Sequence, residues 1–264
     1  MDYTMMTFNL RCNTPSDGDN AWPNRIERAA GMIKAHAPVV VGTQEGYASM
    51  LTELHGQLED YDWVGMGRFG GREDEHCAIF YRKDRLTAEQ QGHFWLSENP
   101  ETAASKSWNS YFPRMCTWAV FRDRENGREF AVFNTHLDHY SQEARDNGVK
   151  VIWDYVAKHR AGSSAPVIVM GDMNSAPGDR PIRYLRGQTE EDGPKGWLTD
   201  AYTALDGQPG LTAHSFRGGS EGEPIDYIFV SPNAQVVRTL VERSQVDGAY
   251  PSDHYPIVAV VRMD

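Results

Sequence analysis

Apolar runs in this chain repeatedly stop on a polar group with chemistry of its own. Met5-Met6-Thr7-Phe8 closes on Asn9. The run from Val39 passes through Gly42-Thr43-Gln44 to Glu45. Phe130 to His136 ends in Asn134-Thr135-His136, Pro166 to Asn174 ends in Gly171-Asp172-Met173-Asn174, and Asp226 lies inside Pro224-Ile225-Asp226-Tyr227-Ile228-Phe229-Val230. Each run has strand length and is rich in β-branched or aromatic residues. Further strands are predicted over Trp63 to Gly67, Cys77 to Arg82, Thr117 to Arg122 and Glu129 to Thr135. The turn Glu125-Asn126-Gly127-Arg128 makes a hairpin of the last two. Ile26, Ala29, Ala30 and Ile33 recur at helical spacing and predict a helix from Pro23 to His36. Other helices are expected over Ala48 to Leu58, Glu143 to His159 and Arg180 to Leu185. The stretch from Asn13 to Asn20 reads as a loop, the C-terminal third as strand-rich, and no repeat emerges. Two strand-and-helix halves suit two packed sheets flanked by helices.

Ligand sites in α/β sheets gather at one edge of the strands, so polar endings spread through a sequence can converge on one pocket. In Ser252-Asp253-His254-Tyr255-Pro256-Ile257 an Asp-His pair stands at the mouth of an apolar run. There a carboxylate can meet a cation and an imidazole can meet a water, with a second Asp orienting the ring. Asp226 is costly to bury without a partner, and His254 is a natural one. Asp172 and Asn174 lie two apart, which in extended backbone puts both on one face. Plainer readings exist for some of these. Asn9 can cap a strand end, Glu45 can serve the dipole of the following helix, and Asp172-Met173-Asn174 can be an Asx-rich turn.

Composition narrows the class. At 264 residues the chain reads as one domain, long enough to bury about three quarters of its unfolded surface. Its 26 basic and 37 acidic side chains give a formal net charge of −11, which disfavours nucleic acid because polyanion binding neutralises phosphates with Lys and Arg. Cys12, Cys77 and Cys116 are odd in number and lack metal-site spacing, as reduced thiols would be. The first strand begins near Tyr3 with no leader-like segment before it, and no apolar run approaches the ~20 residues of a membrane helix. A cytoplasmic protein with no membrane partner is expected.

Six stretches, in order, resemble the endonuclease/exonuclease/phosphatase superfamily, the metal-dependent phosphohydrolases with a deoxyribonuclease-I-like fold. They are Thr7-Phe8-Asn9, Gln44-Glu45, Thr135-His136-Leu137, Gly171-Asp172-Met173-Asn174, Ile225-Asp226-Tyr227 and Ser252 to Ile257. The resemblance implies an α/β (α+β) four-layer sandwich, two packed and mostly antiparallel β-sheets flanked by helices. It implies Glu45 as the principal ligand of Mg²⁺ or Mn²⁺, supported by Asn9 and Asp253; oxygen donors without thiolates suit such hard ions. By the same resemblance His254 is the base or water-positioning group, Asp226 orients it, Asp172 and Asn174 serve water and phosphate, and His136 is a charged phosphate donor.

Candidates for a substrate-binding rim are Arg114, whose fork can clamp a phosphate, His139, Trp108 and Arg25. Trp22, Trp108 or Tyr140 would stack on bases if the substrate were nucleic acid. The expected function is hydrolysis of a small phosphorylated metabolite such as a sugar phosphate. The alternatives are an endo- or exonuclease and, from another class, a noncatalytic binding module on the same scaffold.

Overall fold

Side chains alternate across a strand, so one strand can serve two cores at once. Strand β1 (Asp2–Asn9) does so: Tyr3 and Met5 enter one buried cluster while Met6 and Phe8 enter another. The computed structural model describes residues 1–189 and 198–263. After β1 come α1 (Ile26–His36), β2 (Val40–Gln44), β3 (Gly46–Tyr47), α2 (Ala48–Gln57), β4 (Tyr61–Val64), β5 (Glu75–His76) and β6 (Ile79–Arg82). The middle of the chain forms β7 (Leu86–Trp95), β8 (Met115–Asp123), β9 (Glu129–His136), α3 (Gln142–Gly162), β10 (Val167–Asp172) and α4 (Arg180–Leu185). β11 (Thr199–Asp200), β12 (Asp226–Val230), β13 (Ala234–Val241) and β14 (Ile257–Met263) follow.

These strands build two six-stranded sheets, in the orders β13-β14-β1-β2-β6-β4 and β11-β12-β10-β9-β8-β7, with β3 and β5 pairing apart. Most pairings are antiparallel; β1 with β2 and β9 with β10 are parallel. A core between the sheets takes Met5 and Val40 from one and Phe130, Val132, Ile168, Met170 and Ile228 from the other. Outside it, one cluster joins Phe8 and Val41 to Ala29, Ile33, Leu51 and Leu54 of α1 and α2. Another joins Phe133, Val169 and Phe229 to Val149, Ile152 and Ile182 of α3 and α4. The order of layers is therefore helix, sheet, sheet, helix, as expected.

Local departures from the sequence reading have local causes. Pro23 lies in a short 3-10 turn, Trp22–Asn24, and α1 starts only at Ile26. Helix α3 starts at Gln142 because the Ser141 hydroxyl accepts a hydrogen bond from the Ala144 amide at 3.2 Å. Of the run from Cys77 to Arg82, only Ile79–Arg82 is strand, β6, and the strand expected at Trp63 to Gly67 is Tyr61–Val64. Strand β7 escaped notice because it is an edge strand whose polar centre, Glu89 to Gln91, is exposed and carries no buried alternation. Strand β10 stops at Asp172 and Asn174 is left-handed at φ 43°, so the extended geometry expected to align these two side chains is absent.

The inner faces of β1, β2, β9, β10 and β12 set the depth of the site. Continuing the apolar phase places Asn9, Gln44, His136, Asp172 and Asp226 on the sheet-to-sheet side at one end of the sandwich. Register brings them level: Asn9 pairs with Gln44, Asp172 with His136, and Asp172 with Asp226. Gly171 permits the approach, at φ 143°, where an added Cβ would lie 1.9 Å from the Thr135 carbonyl oxygen. We expect Gly171→Ala to cost about 3 kcal/mol of stability through strain and overpacking. Gly178→Ala, where nothing lies within 4 Å, should stay within about 0.5 kcal/mol of zero. Urea unfolding of both variants measures the contrast.

Candidate active site

Glu45 follows β2 in a left-handed conformation, φ 63°, which turns its carboxylate back over the strand ends. Its Oε1 accepts from Asn9 Nδ2 at 2.9 Å, and its Oε2 accepts from the Cys12 amide at 3.0 Å. The same Asn9 nitrogen donates to Asp172 Oδ2 at 3.0 Å, while Asn9 Oδ1 accepts from the Arg11 amide at 2.9 Å. Carboxylates only accept, so the amide nitrogen is the atom that must face them. Asn9 thus spaces two carboxylates from opposite sheets and does not present its oxygen as a ligand, a departure from the expected metal set.

Asp172 divides its oxygens. Oδ1 accepts from the Asn174 amide at 2.9 Å, an Asx turn, and Oδ2 lies 3.5 Å from His136 Nε2. The turn reading of this segment and the site reading therefore hold together. Asn174 donates from Nδ2 to the Leu137 carbonyl at 3.0 Å and lines the cleft. His254 Nδ1 lies 2.9 Å from Asp226 Oδ2 and 3.9 Å from Asp172 Oδ2. Asp226 Oδ1 is buried with no partner. Ser252 fixes the approach of this segment by donating to the Asn9 carbonyl at 2.6 Å.

Burial and the Asp226 carboxylate push the Asp172 carboxyl up to about 7. Burial opposes charge on His254, but Asp226, Asp172 and Asp253 outweigh it and raise the imidazole well above its ordinary value. Burial would likewise raise Glu45, yet His254, Asn9 and the Cys12 amide leave it below the usual carboxylate range. His136 is driven well below its ordinary value by burial and by Arg114. It is therefore a neutral imidazole here, which replaces the expected charged phosphate donor.

The potential ligand atoms of Glu45, His136 and Asp172 lie within 4.8 Å of one another, as do those of Asp172, Asp226 and His254. Two carboxyl groups and an imidazole whose charge burial disfavours are oxygen and nitrogen donors suited to a divalent cation, which binds them in their deprotonated forms. The grouping differs from the expected Asn9, Glu45 and Asp253. Asp253 is half-buried beside this cluster, its Oδ2 3.8 Å from Arg11 Nε.

The cleft over these groups has a volume of about 240 Å³. Arg114 and His139 line it; Arg114 is held by Asp138 Oδ2 at 3.3 Å from Nε and by His139 Nδ1 at 2.8 Å from a terminal nitrogen. Trp108 is not among the lining residues, and its carbonyl accepts from the Ser141 hydroxyl at 2.6 Å. Arg25, expected at the rim, is 0% exposed. It donates to the carbonyls of Leu10 at 2.8 Å, Pro251 at 2.9 Å and Arg11 at 3.1 Å, so it ties together the loops behind the site. Trp22 is buried and bonded to Glu53, which removes it as a stacking platform. The cleft also includes Arg11, Arg68, Glu75 and Phe112, which the sequence did not single out. Glu75 comes to the site only because β5 pairs with β3 next to Glu45, a long-range pairing with no local signal.

The profile of the Endonuclease/Exonuclease/phosphatase family matches residues 6–254. The chain belongs to this family. A family protein from Bacteroides thetaiotaomicron superposes with a TM-score of 0.91 at 31% identity, covering 100% of this chain and 98% of the other. A mannosyl-6-phosphatase of Bacteroides thetaiotaomicron VPI-5482 gives 0.89 at 31% identity, with 99% and 100% covered. The human Nocturnin catalytic domain, at 18% identity and a TM-score of 0.75 over 100% of this chain and 94% of that one, shares the fold. No curated protein matches the sequence. Members of the Endonuclease/Exonuclease/phosphatase family are phosphoester hydrolases that depend on a divalent metal, and this chain is an enzyme of that kind. The noncatalytic alternative falls with that membership. Among the described residues, no helix is long and apolar enough to cross a membrane.

The His254–Asp226 contact makes a direct prediction for this family of enzymes. His254→Ala and Asp226→Ala should each lower kcat by about 10²–10⁴-fold, and the double variant should be no more than about threefold worse than the worse single one. Independent, multiplying losses would show that the two do not act as a unit. Thermal unfolding of each variant separates this from misfolding, since removing His254 strands two buried carboxylates.

Proposed function

We propose that this protein is a cytoplasmic phosphatase that hydrolyses a small phosphorylated metabolite such as a sugar phosphate, using Mg²⁺ or Mn²⁺. The observation that carries the reading is the cleft itself: compact at about 240 Å³, with its arginines tied to acidic partners. A formal net charge of −11 and similarity at 31% identity to a mannosyl-6-phosphatase support it. Glu45, His136 and Asp172 would hold the cation. When bound it neutralises charge developing on the phosphoryl oxygens and acidifies water.

The chain's own groups supply the rest. Asp226 holds Nδ1 of His254, which leaves Nε2 for the attacking water. The carboxylates around His254 stabilise the imidazolium formed when Nε2 takes the water's proton. Carboxylates shared with a cation favour that imidazolium less, which lets the resting ring act as a base. The water oxygen joins phosphorus, the ester oxygen leaves and takes a proton as the alcohol, and inorganic phosphate is the second product. Asn174 and Arg114 line the path and are placed to contact phosphate oxygens.

A second reading, cleavage of nucleic-acid phosphodiesters, draws on Tyr111 and Tyr140 at the rim, 56% and 72% exposed, whose rings lie 6.0 Å apart and can stack on bases. The test compares kcat/KM on sugar phosphates with that on single- and double-stranded oligonucleotides, at low and physiological salt with Mg²⁺ or Mn²⁺. Efficient turnover of a sugar phosphate with little salt dependence is expected, and exhaustive chelation should abolish it. Strongly salt-sensitive cleavage of oligonucleotides with no turnover of small phosphoesters would decide for the nuclease.

A further inference from the structure

The cleft brings together two unlike groups of side chains, Glu45, His136 and Asp172 on the one hand and Arg68, Glu75 and Phe112 on the other, and all six line the same space. Glu75 reaches it because Tyr47, two residues after Glu45, is its partner across the β3–β5 pairing. A small recess beside the cleft is lined by both Glu45 and Glu75, together with Arg68 and His136.

Arg68 and Glu75 are held rigidly. A terminal guanidinium nitrogen of Arg68 lies 3.1 Å from Glu75 Oε2 and the other lies 2.7 Å from Asp74. The guanidinium sits over the Phe112 ring at 4.0 Å, and the Arg68 carbonyl accepts from the Trp95 indole at 2.7 Å. Arg68 is 94% buried by its 6% exposure, and its Nε has no partner. A fixed donor and a fixed acceptor thus stand side by side at the cleft wall.

Charge decides what such a wall can read. Arg11 pairs with Asp17 at 2.9 Å, Arg68 with Glu75 and Asp74, and Arg114 with Asp138 at 3.3 Å. No guanidinium of the cleft is left without a carboxylate, so a second phosphate would meet as much negative charge as positive. A hydroxyl donates one hydrogen bond and accepts others, which matches a carboxylate beside a guanidinium. An aromatic ring in the same wall suits the C–H face of a carbon skeleton.

We propose that the Arg68–Glu75 pair, backed by Phe112, is the specificity element of this enzyme, reading hydroxyl groups on a neutral polyhydroxylated skeleton that carries a single phosphate. This rests on the phosphatase reading above and narrows it to monophosphates of polyols and sugars, against bisphosphates and phosphates of plain alcohols.

The test uses the full chain with Mg²⁺ and four kinds of probe: mannose and glucose 6-phosphates, their monodeoxy analogues, a fructose bisphosphate and n-hexyl phosphate. A hexose monophosphate should exceed n-hexyl phosphate in kcat/KM by roughly 100-fold, and at least one deoxy analogue should lose roughly tenfold or more. Glu75→Gln should shrink the hexose-to-hexyl ratio by roughly tenfold, chiefly through KM, because one of the two carboxyl oxygens that can accept from a buried hydroxyl is replaced by an amide donor. Equal turnover of hexyl and hexose phosphates, preference for the bisphosphate, or a ratio unmoved by Glu75→Gln would overturn the assignment while leaving the phosphatase reading intact. If that variant does not fold, the deoxy series on the wild-type enzyme decides alone. Failure of the wild type on every phosphomonoester would overturn the phosphatase reading and this assignment with it.

Discussion

The active end of the sandwich depends on one hydrogen-bonded seam between the sheets. Gln44 of β2 donates from Nε2 to Asn134 Oδ1 of β9 at 2.7 Å, and Asn134 returns Nδ2 to the carbonyls of Thr43 and Ala78, each at 2.9 Å. Below this seam the facing side chains are apolar, as Val40, Val132 and Met170 are; above it they are Glu45, His136 and Asp172. The amides are the last neutral layer. An apolar pair there would take the side-chain donor away from the Thr43 and Ala78 carbonyls, of which Ala78 would still accept from the Thr43 amide at 2.8 Å. Gly42 lets the sheets close on the seam, since a Cβ there would lie 2.6 Å from Met170 Sδ and 2.8 Å from Asn134 Oδ1. The potential ligand atoms contributed by two different sheets stay within reach of one ion because the seam fixes the spacing of those sheets.

Above the seam, charge is the governing quantity. Glu45, Asp172, Asp226 and Asp253 crowd a small volume around His254, and the crowding shows in an Asp172 carboxyl pushed up to about 7 by burial and Asp226. A divalent cation bound there would relieve the same crowding that raises His254, which would make the proposed ion site and the proposed proton-transfer site electrostatically one. Asn9 has a narrower part in this. Its single amide nitrogen touches one carboxylate from each sheet, which sets their separation before any ion arrives. Such preorganisation lowers the reorganisation needed during reaction.

How much was legible in the sequence follows from which of these contacts are local. The layers were readable because near-continuous apolar runs such as Tyr3 to Phe8 or Ala131 to Phe133 leave no polar face, as strands buried on both sides require. Polar residues that interrupt that phase, such as Asp226, were readable as site candidates because an unpartnered charge does not survive in a strand core. Roles that depend on which atom of a side chain faces what were not. The Asn9 oxygen faces the Arg11 amide and its nitrogen faces the carboxylates, and His136 is neutral because burial and Arg114 surround it. Arg25 misled for the opposite reason: a basic residue beside a polar loop looks like a surface ligand. Only the folded loops show that Leu10, Arg11 and Pro251 needed a donor. Arg68 and Glu75 lay wholly outside sequence reach, since their relation to Glu45 exists only through the pairing of β3 with β5.

The pairing of each cleft arginine explains how so acidic a chain can act on an anion. An unpaired guanidinium cluster would draw phosphates of every kind, and its pull would weaken with salt for each contact made. Here Asp17, Asp74, Glu75 and Asp138 cancel that general attraction while fixing where each guanidinium N–H points. On the proposed phosphatase reading, affinity for the one phosphate would come from a bound cation, and the wall would be free to discriminate by hydrogen-bond direction. That arrangement would divide binding from selection, so that one fold could keep its hydrolytic centre while changes in the wall alone redirect it to another phosphoester.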